Sequence, residues 1–239
     1  GLYGTEWATS STFPKSDYVL KEGRPVGLVR GLTADGFYTT DDFTYENGVY
    51  TLKEGVADVS SAVFPNYHLH NGMNERPAGQ LAYPGMAKFK DLNDDGIIND
   101  DDVDVIGDMT PVHTGGFNIN ATYKNFDLGL YFNWSYGNEI YNVNKLAALY
   151  GYKEGAVYEN KLSIVKDCYK IYDVVNGELV ALTTPEQLNA ANANAKLPLA
   201  YSENGYVSTL GIEDGSYLRL NTLTLGYTLP KSMLQKAGI

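Results

Sequence analysis

The sequence predicts an all-β chain whose longest strands suit a membrane. Residues 117–123 and 126–136 each alternate apolar and polar side chains, and only Lys124-Asn125 separates them. When the two segments are paired antiparallel around that turn, one face is wholly apolar and the other almost wholly polar. The opposed apolar pairs are Tyr123:Phe126, Ala121:Leu128, Ile119:Leu130 and Phe117:Phe132. A long hairpin with one apolar face is the unit from which a transmembrane β-barrel is built.

The length of the second segment favours a barrel over a soluble β-sandwich. Sandwich strands run about 5–6 residues, whereas residues 126–136 keep their alternation throughout. At about 3.4 Å per residue they extend about 34 Å, which covers about 25 Å of the membrane normal at a tilt of about 45°. Aromatic residues lie at both ends and aliphatic ones between, as in interfacial girdles. The end aromatics are Tyr123, Phe126, Phe132, Trp134 and Tyr136.

Shorter elements are predicted on both sides of this hairpin. Residues 17–30 are expected to be extended, Asn47-Gly48 indicates a small hairpin, and residues 55–84 show no period. After the hairpin, residues 137–216 lack barrel-like alternation, and so long a segment should carry structure or function of its own. Within it, Asn176-Gly177 predicts a second small hairpin and Thr184-Pro185 predicts the start of a short helix.

Residues 217–229 are the third long strand candidate, and Pro230 ends it. Leu223, Leu225 and Tyr227 alternate cleanly with polar neighbours, but Leu218 and Leu220 have the opposite parity. We therefore expect a β-bulge near Asn221. Residues 230–238 should form one or two helical turns.

Composition excludes several classes of function. The net charge of −11 excludes a nucleic-acid partner, because a phosphate backbone requires a basic stripe. No apolar run reaches 18 residues, so no membrane-spanning helix is predicted. The single cysteine, Cys168, excludes an intrachain disulfide and has no assigned role.

An acidic segment just before the hairpin predicts a calcium site. Residues 91–102 match the EF-hand pattern of oxygen ligands at loop positions 1, 3 and 5, with Gly96 at the sharp turn, and Asp stands at position 12 in place of Glu. Ile97 would offer its backbone carbonyl. The alternative is a solvated acidic turn that binds no metal. The predicted ligands of a structural Ca²⁺ are Asp91, Asn93, Asp95, Ile97 and Asp102.

No catalytic residues are predicted. His68 and His70 are spaced for one face of a strand, but no third zinc ligand accompanies them. His113 stands alone before Thr114-Gly115-Gly116 and is expected to be a loop residue, and no nucleophile elbow or phosphate loop is present. An enzyme is therefore not expected.

Two stretches of the sequence resemble one family. Residues 88–142 (KFKDLNDDGIINDDDVDVIGDMTPVHTGGFNINATYKNFDLGLYFNWSYGNEIYN) and 212–230 (IEDGSYLRLNTLTLGYTLP) resemble the C-terminal half of SusC/RagA-type TonB-dependent outer-membrane transporters. Residues 22–38 (EGRPVGLVRGLTADGFY) resemble the family more weakly.

The resemblance implies a 22-stranded antiparallel barrel in the outer membrane of a Gram-negative bacterium. It also implies import of oligosaccharides or peptides with energy from the TonB system, and a SusD-like surface lipoprotein as partner. Residues 39–114 and 137–216 would be extracellular loops, 115–136 a transmembrane hairpin, 217–229 a transmembrane strand and 230–239 a periplasmic turn. Outer-membrane lipid would contact the apolar face.

The family pattern also requires a plug domain and a TonB-contact segment, for which this sequence has no matching residues. Three or four strands cannot close a barrel whose diameter follows from its strand number. We therefore expect a fragment of such a transporter. The alternative from another class is a secreted Ca²⁺-binding β-sandwich that recognises glycans.

Overall fold

The computed structural model describes residues 6–7, 18–19, 23–61, 63, 76–145, 162–199 and 207–236. Strands dominate among these residues, and none of their helices is long and apolar enough to cross a membrane. The chain divides into two units by its internal contacts. We call Gly1–Gly107 with Tyr141–Ile212 the core unit, and Asp108–Ile140 with Glu213–Ile239 the long-strand unit.

The long-strand unit contains three antiparallel strands of eleven residues each. In spatial order they are β11 (His113–Tyr123), β12 (Phe126–Tyr136) and β17 (Tyr217–Tyr227). The register of β11 on β12 confirms every predicted pair, including Phe117 opposite Phe132 and Tyr123 opposite Phe126. The predicted turn is confirmed too, with Lys124 at a φ of 53°, in the left-handed region.

The predicted bulge in the third strand is also confirmed. Tyr131 lies opposite Thr222 while the adjacent Phe132 lies opposite Leu220, so Asn221 is the extra residue. Because of this extra residue, Leu218 and Leu220 lie on the same face of the sheet as Leu223 and Leu225, and all four lie opposite apolar residues of β12. The helix that follows, α2, spans Lys231–Lys236, as the sequence predicts.

The remaining strands are short. A four-stranded sheet has the order β1-β2-β3-β10, and the other strands form pairs: β4 with β8, β5 with β6, β7 with β9, β13 with β16 and β14 with β15. Their bounds are β1 Glu6–Trp7, β2 Tyr18–Val19, β3 Leu28–Gly31, β4 Ala34–Phe37, β5 Phe43–Glu46, β6 Val49–Leu52, β7 Asp58–Val59, β8 Ala87–Phe89, β9 Ile97–Ile98, β10 Asp104–Asp108, β13 Glu139–Tyr141, β14 Tyr172–Val175, β15 Glu178–Ala181 and β16 Ile212–Asp214. Both small hairpins predicted at Asn-Gly turns are present, as β5–β6 and β14–β15.

Short 3-10 helices connect several of these strands. They span Thr40–Asp42, Asp100–Asp102, Ser163–Asp167 and Thr209–Gly211. The α-helix α1, Pro185–Asn192, begins where the sequence predicts, because the Thr184 side chain accepts a hydrogen bond from the Gln187 N–H and Pro185 occupies the first turn.

Aromatic residues fill the hydrophobic interior of the core unit. Tyr38, Tyr50 and Tyr83 are fully buried, and the rings of Tyr50 and Tyr83 pack edge to face with centroids 5.8 Å apart. Leu188 of α1 and Tyr169 pack in the same cluster. The two predicted loops, 39–114 and 137–216, therefore share one core.

Polar contacts join the same two segments. The Thr40 hydroxyl donates to Asn189 Oδ1 at 2.6 Å, and the Tyr50 hydroxyl donates to the Thr183 carbonyl at 3.1 Å. Each bond links residues more than 130 positions apart in sequence. Because hydrogen bonds satisfy these buried polar groups, the core tolerates their burial.

Candidate functional site

The acidic loop of the core unit is folded around its own side chains. The Asp91 carboxylate accepts hydrogen bonds from the N–H groups of Gly96 at 2.7 Å and Asp95 at 3.3 Å. Asn93 Oδ1 accepts from the Asp95 N–H at 3.0 Å, and Asp95 Oδ1 accepts from the Ile97 N–H at 2.8 Å. Gly96 has a φ of 83°, which permits the sharp turn that the sequence predicts. Three oxygen-bearing side chains thus lie on one short turn.

Asp102 closes this loop from inside the protein. It is fully buried, and its two oxygens accept hydrogen bonds from the Leu92 N–H at 2.7 Å and the Asn99 N–H at 2.8 Å. A carboxylate that accepts backbone N–H groups forms strong, charge-assisted bonds. The Asp102 side chain therefore ties together the two ends of the loop, a role that the sequence did not indicate. Its role as a metal ligand stays a prediction.

The two isoleucines that follow Gly96 have different environments. Ile98 is fully buried in the core, while Ile97 is half exposed, and both belong to β9, which pairs with β7. The Ile97 carbonyl accepts a hydrogen bond from Asn99 Nδ2 at 3.1 Å. Ile98 is thus the residue that anchors the loop to the core.

A second carboxylate supports the segment against which this loop pairs. Asp58 of β7 accepts hydrogen bonds from the Ala82 N–H at 2.6 Å and the Leu81 N–H at 2.9 Å. It thereby holds residues 81–82 against the strand that pairs with β9. Asp58 is a lone Asp in an unpatterned stretch, so its sequence context does not predict this role.

Two features bear on whether the acidic loop fits a cation. Within the described ranges, no three His, Cys, Asp or Glu side chains converge on a metal position. The oxygen donors that do lie together are two carboxylates and one amide, from Asp91, Asp95 and Asn93. Hard oxygen donors of this kind suit Ca²⁺.

The adjacent Asp100 carboxyl has a raised pKa, first because of its burial and then because of the neighbouring charge of Asp101.

The fold shifts the pKa values of Asp42 and Cys168 in the core unit. Burial opposes ionisation of Asp42, but hydrogen bonds from Lys88 Nζ at 2.9 Å and the Thr39 N–H at 2.7 Å outweigh it and hold the pKa of Asp42 below its usual value. Cys168 is a buried free thiol, and burial, followed by the charge of Asp167, raises its pKa. Both burial and a raised pKa disfavour the thiolate, which is the reactive form of cysteine.

The long-strand unit presents its apolar side chains outward. Leu223 is 63% exposed and Leu225 is 68% exposed, and each faces a leucine of β12 across the sheet. Phe117, Ile119 and Phe126 are exposed as well. An exposed apolar face of this kind marks a surface that contacts another protein or a membrane.

Aromatic contacts mark both ends of that face. At the end away from the turn, Phe117 stacks on Phe132 with centroids 4.8 Å apart, and Trp134 Nε1 donates to His113 Nδ1 at 3.0 Å. At the turn end, the centroids of Phe126 and Tyr227 are 4.6 Å apart. The expectation that His113 lies in a loop is wrong, because it is the first residue of β11 and pairs with Tyr136 of β12. His68 and His70 lie outside the described residues.

The opposite face of the same sheet is polar. It carries Asn118, Asn120 and Thr122 from β11, with Thr222 and Thr224 from β17. Such alternation, apolar on one side and polar on the other, is typical of barrel strands between lipid and lumen.

Comparisons with known proteins give one consistent group of relatives, although no family model matches the chain. TonB-dependent receptor P3 of Formosa agariphila is 30% identical over 224 residues, which cover 92% of this chain and 17% of the relative. TonB-dependent receptor P26 of the same organism is 30% identical over 65% of this chain and 14% of its own length. TonB-dependent receptor P39 is 26% identical over 98% of this chain and 21% of its own length. The chain thus spans about a fifth or less of these relatives.

A solved structure has the same fold over nearly the whole chain. The RagAB peptide importer in its closed-closed state matches with a TM-score of 0.55 at 17% identity, over 97% of this chain and 19% of that chain. At this identity the likeness concerns the fold.

Proposed function

Because this chain corresponds to part of a TonB-dependent receptor of the SusC/RagA type, we propose that it forms part of the wall and outer loops of an outer-membrane importer. The strands β11, β12 and β17 would be adjacent members of a 22-stranded barrel in a Gram-negative outer membrane. The observation that carries this proposal is the exposed apolar face of three paired eleven-residue strands.

The distribution of aromatic residues supports the proposed membrane position. Barrels have an apolar band about 25 Å tall between two aromatic girdles. In the long-strand sheet, aromatic contacts lie at the two ends and Leu128, Leu130, Leu223 and Leu225 lie between them. A β-sandwich would require this face to be buried against a second layer, whereas Leu223 and Leu225 remain exposed.

The two ends of the sheet support an orientation in that membrane. Outer-membrane barrels have short turns on the periplasmic side and long loops outside. The two-residue turn at Lys124-Asn125 and residues 230–239 would then be periplasmic. Residues 39–114 and 137–216 would be extracellular, and they would reach the cell surface as the packed core unit rather than as separate loops.

The proposed work of this segment involves no covalent step. The barrel wall would keep its apolar side in lipid and its polar side toward the substrate path. The core unit would form part of the substrate vestibule and the docking surface for a SusD-like lipoprotein. The substrate would be an oligosaccharide or a peptide, and the TonB system would supply the energy through other parts of the protein.

Calcium binding belongs to the same proposal. Asp91, Asn93 and Asp95 would supply side-chain oxygens, with Ile97 and Asp102 as the further predicted ligands, and the ion would rigidify the acidic loop. Few charged ligands imply weak binding, with a Kd of about 0.1–1 mM as in extracellular calcium modules. Terbium luminescence should show saturable, calcium-competed binding that Asp95→Asn removes and Asp101→Asn retains. A lack of binding at millimolar Ca²⁺ contradicts the site.

The import function has a direct test in cells. The full-length protein that carries this chain should fractionate with outer membranes, and uptake of its substrate should stop when TonB is deleted. A matched strain in which only the lipoprotein is deleted separates the roles of the two partners. Recovery of the protein in the soluble fraction without detergent would contradict the proposal and favour the glycan-binding sandwich.

A further inference from the structure

The polar face of the long-strand sheet carries one arginine in an unusual setting. Arg219 lies on β17 directly opposite Asn133 of β12, and its guanidinium carbon is 5.1 Å from the centroid of the Tyr217 ring. Asn133 Nδ2 in turn donates to the Tyr217 hydroxyl at 3.4 Å. The three side chains therefore form one group on the face opposite the apolar one.

The bulge at Asn221 decides that Arg219 lies on this face. In an unbroken strand, residues 219, 223 and 225 would share a side, and Arg219 would join Leu223 and Leu225 on the apolar face. The extra residue shifts the register, so that Arg219 instead faces Asn133. Bulges often redirect a side chain beside a functional site.

No carboxylate on this face neutralises Arg219 among the described residues of the sheet. Asp127 is the acidic residue of the polar face, and it lies six positions from Asn133 along β12, about 20 Å away. The amide oxygen Asn133 Oδ1 is buried and has no hydrogen-bond partner. Among the described residues of the sheet, Arg219 thus has no carboxylate beside it on this face, and the amide oxygen opposite it can only accept a hydrogen bond, so the N–H groups of Arg219 are the donors that can meet an anion.

Two tyrosines flank this pair. Tyr217 supports the guanidinium, and Tyr131 leans across Gly116, where an added Cβ would come within 3.3 Å of the Tyr131 ring. Stacking on an aromatic ring fixes the plane of a guanidinium and leaves its N–H groups free along the edge. A planar fork of donors matches a carboxylate with two parallel hydrogen bonds.

We propose that Arg219, held on Tyr217 beside Asn133, binds a carboxylate of the transported substrate. This inference rests on the proposed import function, which places this face toward the substrate path and this end of the sheet toward the cell exterior. Two substrate classes supply the group: the uronic acid of an oligosaccharide and the C-terminal carboxylate of a peptide.

Binding by the intact full-length protein in detergent tests the inference. The probes are an oligogalacturonate and its methyl ester, and a short peptide with a free C-terminus and its amide. Wild-type protein should bind at least one acid at least about 10-fold more tightly than its neutral partner, which is the range of a charge-assisted hydrogen bond. The acid that is preferred identifies the source of the carboxylate.

Variants separate recognition from structural support. Arg219→Gln should weaken binding of the acidic probe about 10- to 100-fold and leave the affinity for its neutral partner unchanged. Arg219→Lys should lose less affinity for the acidic probe. Asn133→Asp places a negative charge opposite Arg219 and should weaken binding of the acidic probe but not of its neutral partner. Lys124→Gln is the matched control, because Lys124 also stacks on a tyrosine, 5.3 Å from the Tyr123 centroid, but at the turn.

Several results overturn the inference. These are a wild-type protein that does not prefer either acid, an Arg219→Gln variant that binds acid normally, and one that loses acid and neutral probes equally. The last would show that Arg219 supports another part of the protein. TonB-dependent uptake of a neutral substrate alongside any of these results would leave the proposed import function standing.

Discussion

The core unit and the long-strand unit use similar side chains in opposite ways. In the core unit, Tyr38, Tyr50 and Tyr83 are fully buried and belong to the same hydrophobic cluster as Leu188. In the long-strand unit, apolar side chains lie on one face of the sheet and remain exposed. Burial of a leucine or phenylalanine contributes about 1.5–3 kcal/mol. The core unit obtains this free energy from its own packing, whereas in the proposed importer the long-strand unit would obtain it from lipid.

The strands of the two units also differ in length. Strands of two to five residues cannot form a wide apolar face, so the core unit gathers single buried residues from distant segments. Eleven-residue strands with strict alternation form such a face without help from the rest of the chain. The core unit is therefore assembled by long-range contacts between single residues, whereas the long-strand unit combines the local pairing of β11 with β12 and the long-range pairing of β12 with β17.

The largest expected effect is loss of packing in the core unit. Leu188→Ala removes a side chain with 0% exposure and should destabilise the core unit by about 2–5 kcal/mol. Leu179→Ala is the control, since Leu179 is 70% exposed. Hydrogen exchange of the core-unit amides in the intact protein would measure the difference. Equal protection in the two variants would contradict the shared core.

The next effect concerns the apolar face of the long-strand unit. Leu223→Arg should cost about 2–4 kcal/mol in a bilayer, as for a charge on the lipid side of a barrel. Thr222→Arg, one residue away on the polar face, should cost much less. Urea titration of the protein in lipid vesicles compares them. Similar losses for the two variants would argue that the two faces see the same solvent.

A smaller effect is expected for the carboxylate that ties the acidic loop. Asp102→Asn leaves one of two buried backbone N–H groups without its acceptor, at a cost of about 1–3 kcal/mol. The exposed neighbour provides the matched change, Asp101→Asn, which should be near neutral. The rate of limited proteolysis within residues 91–102 measures how well the loop is held. A cleavage rate in Asp102→Asn equal to that of the wild type would contradict the role of Asp102 in holding the loop.

The smallest effect depends on pH. The folded state lowers the pKa of Asp42, so ionised Asp42 stabilises the fold above its ordinary pKa, and this stabilisation is lost as pH falls through the lower folded value. Asp42→Asn should cost about 1 kcal/mol at neutral pH and flatten the stability curve below about pH 4. Thermal unfolding across pH 2–7 tests this, with Asp41→Asn as control. A parallel acid slope in Asp42→Asn would reject the account.

Sequence reasoning succeeded where the structure is local. Alternation of period two specifies the register of β11 on β12, because a slip of one residue would reverse both faces. The opposite parity of Leu218 and Leu223 was enough to predict the bulge at Asn221. The Asn-Gly turns and the Thr184 cap likewise depend on neighbouring residues alone.

The rest of the fold depends on contacts that leave no local pattern. The pairing of Thr40 with Asn189 and of Tyr50 with Thr183 joins two segments that each read as a loop. The roles of Asp58 and Asp102 depend on backbone N–H groups that only the folded chain brings within reach. The contact of Arg219 with the Tyr217 ring and its position opposite Asn133 likewise come from the folded sheet.

The central claim is that β12 separates lipid from a polar interior, and lipid accessibility along this strand tests it most directly. Single spin labels at successive positions from Phe126 to Trp134, in the full-length protein in bilayers, would be exposed to oxygen and to a water-soluble nickel complex. The account predicts a period of two, with labels at Phe126, Leu128, Leu130, Phe132 and Trp134 accessible to oxygen and those between them shielded from lipid. Uniform accessibility to the nickel complex along the strand would contradict it.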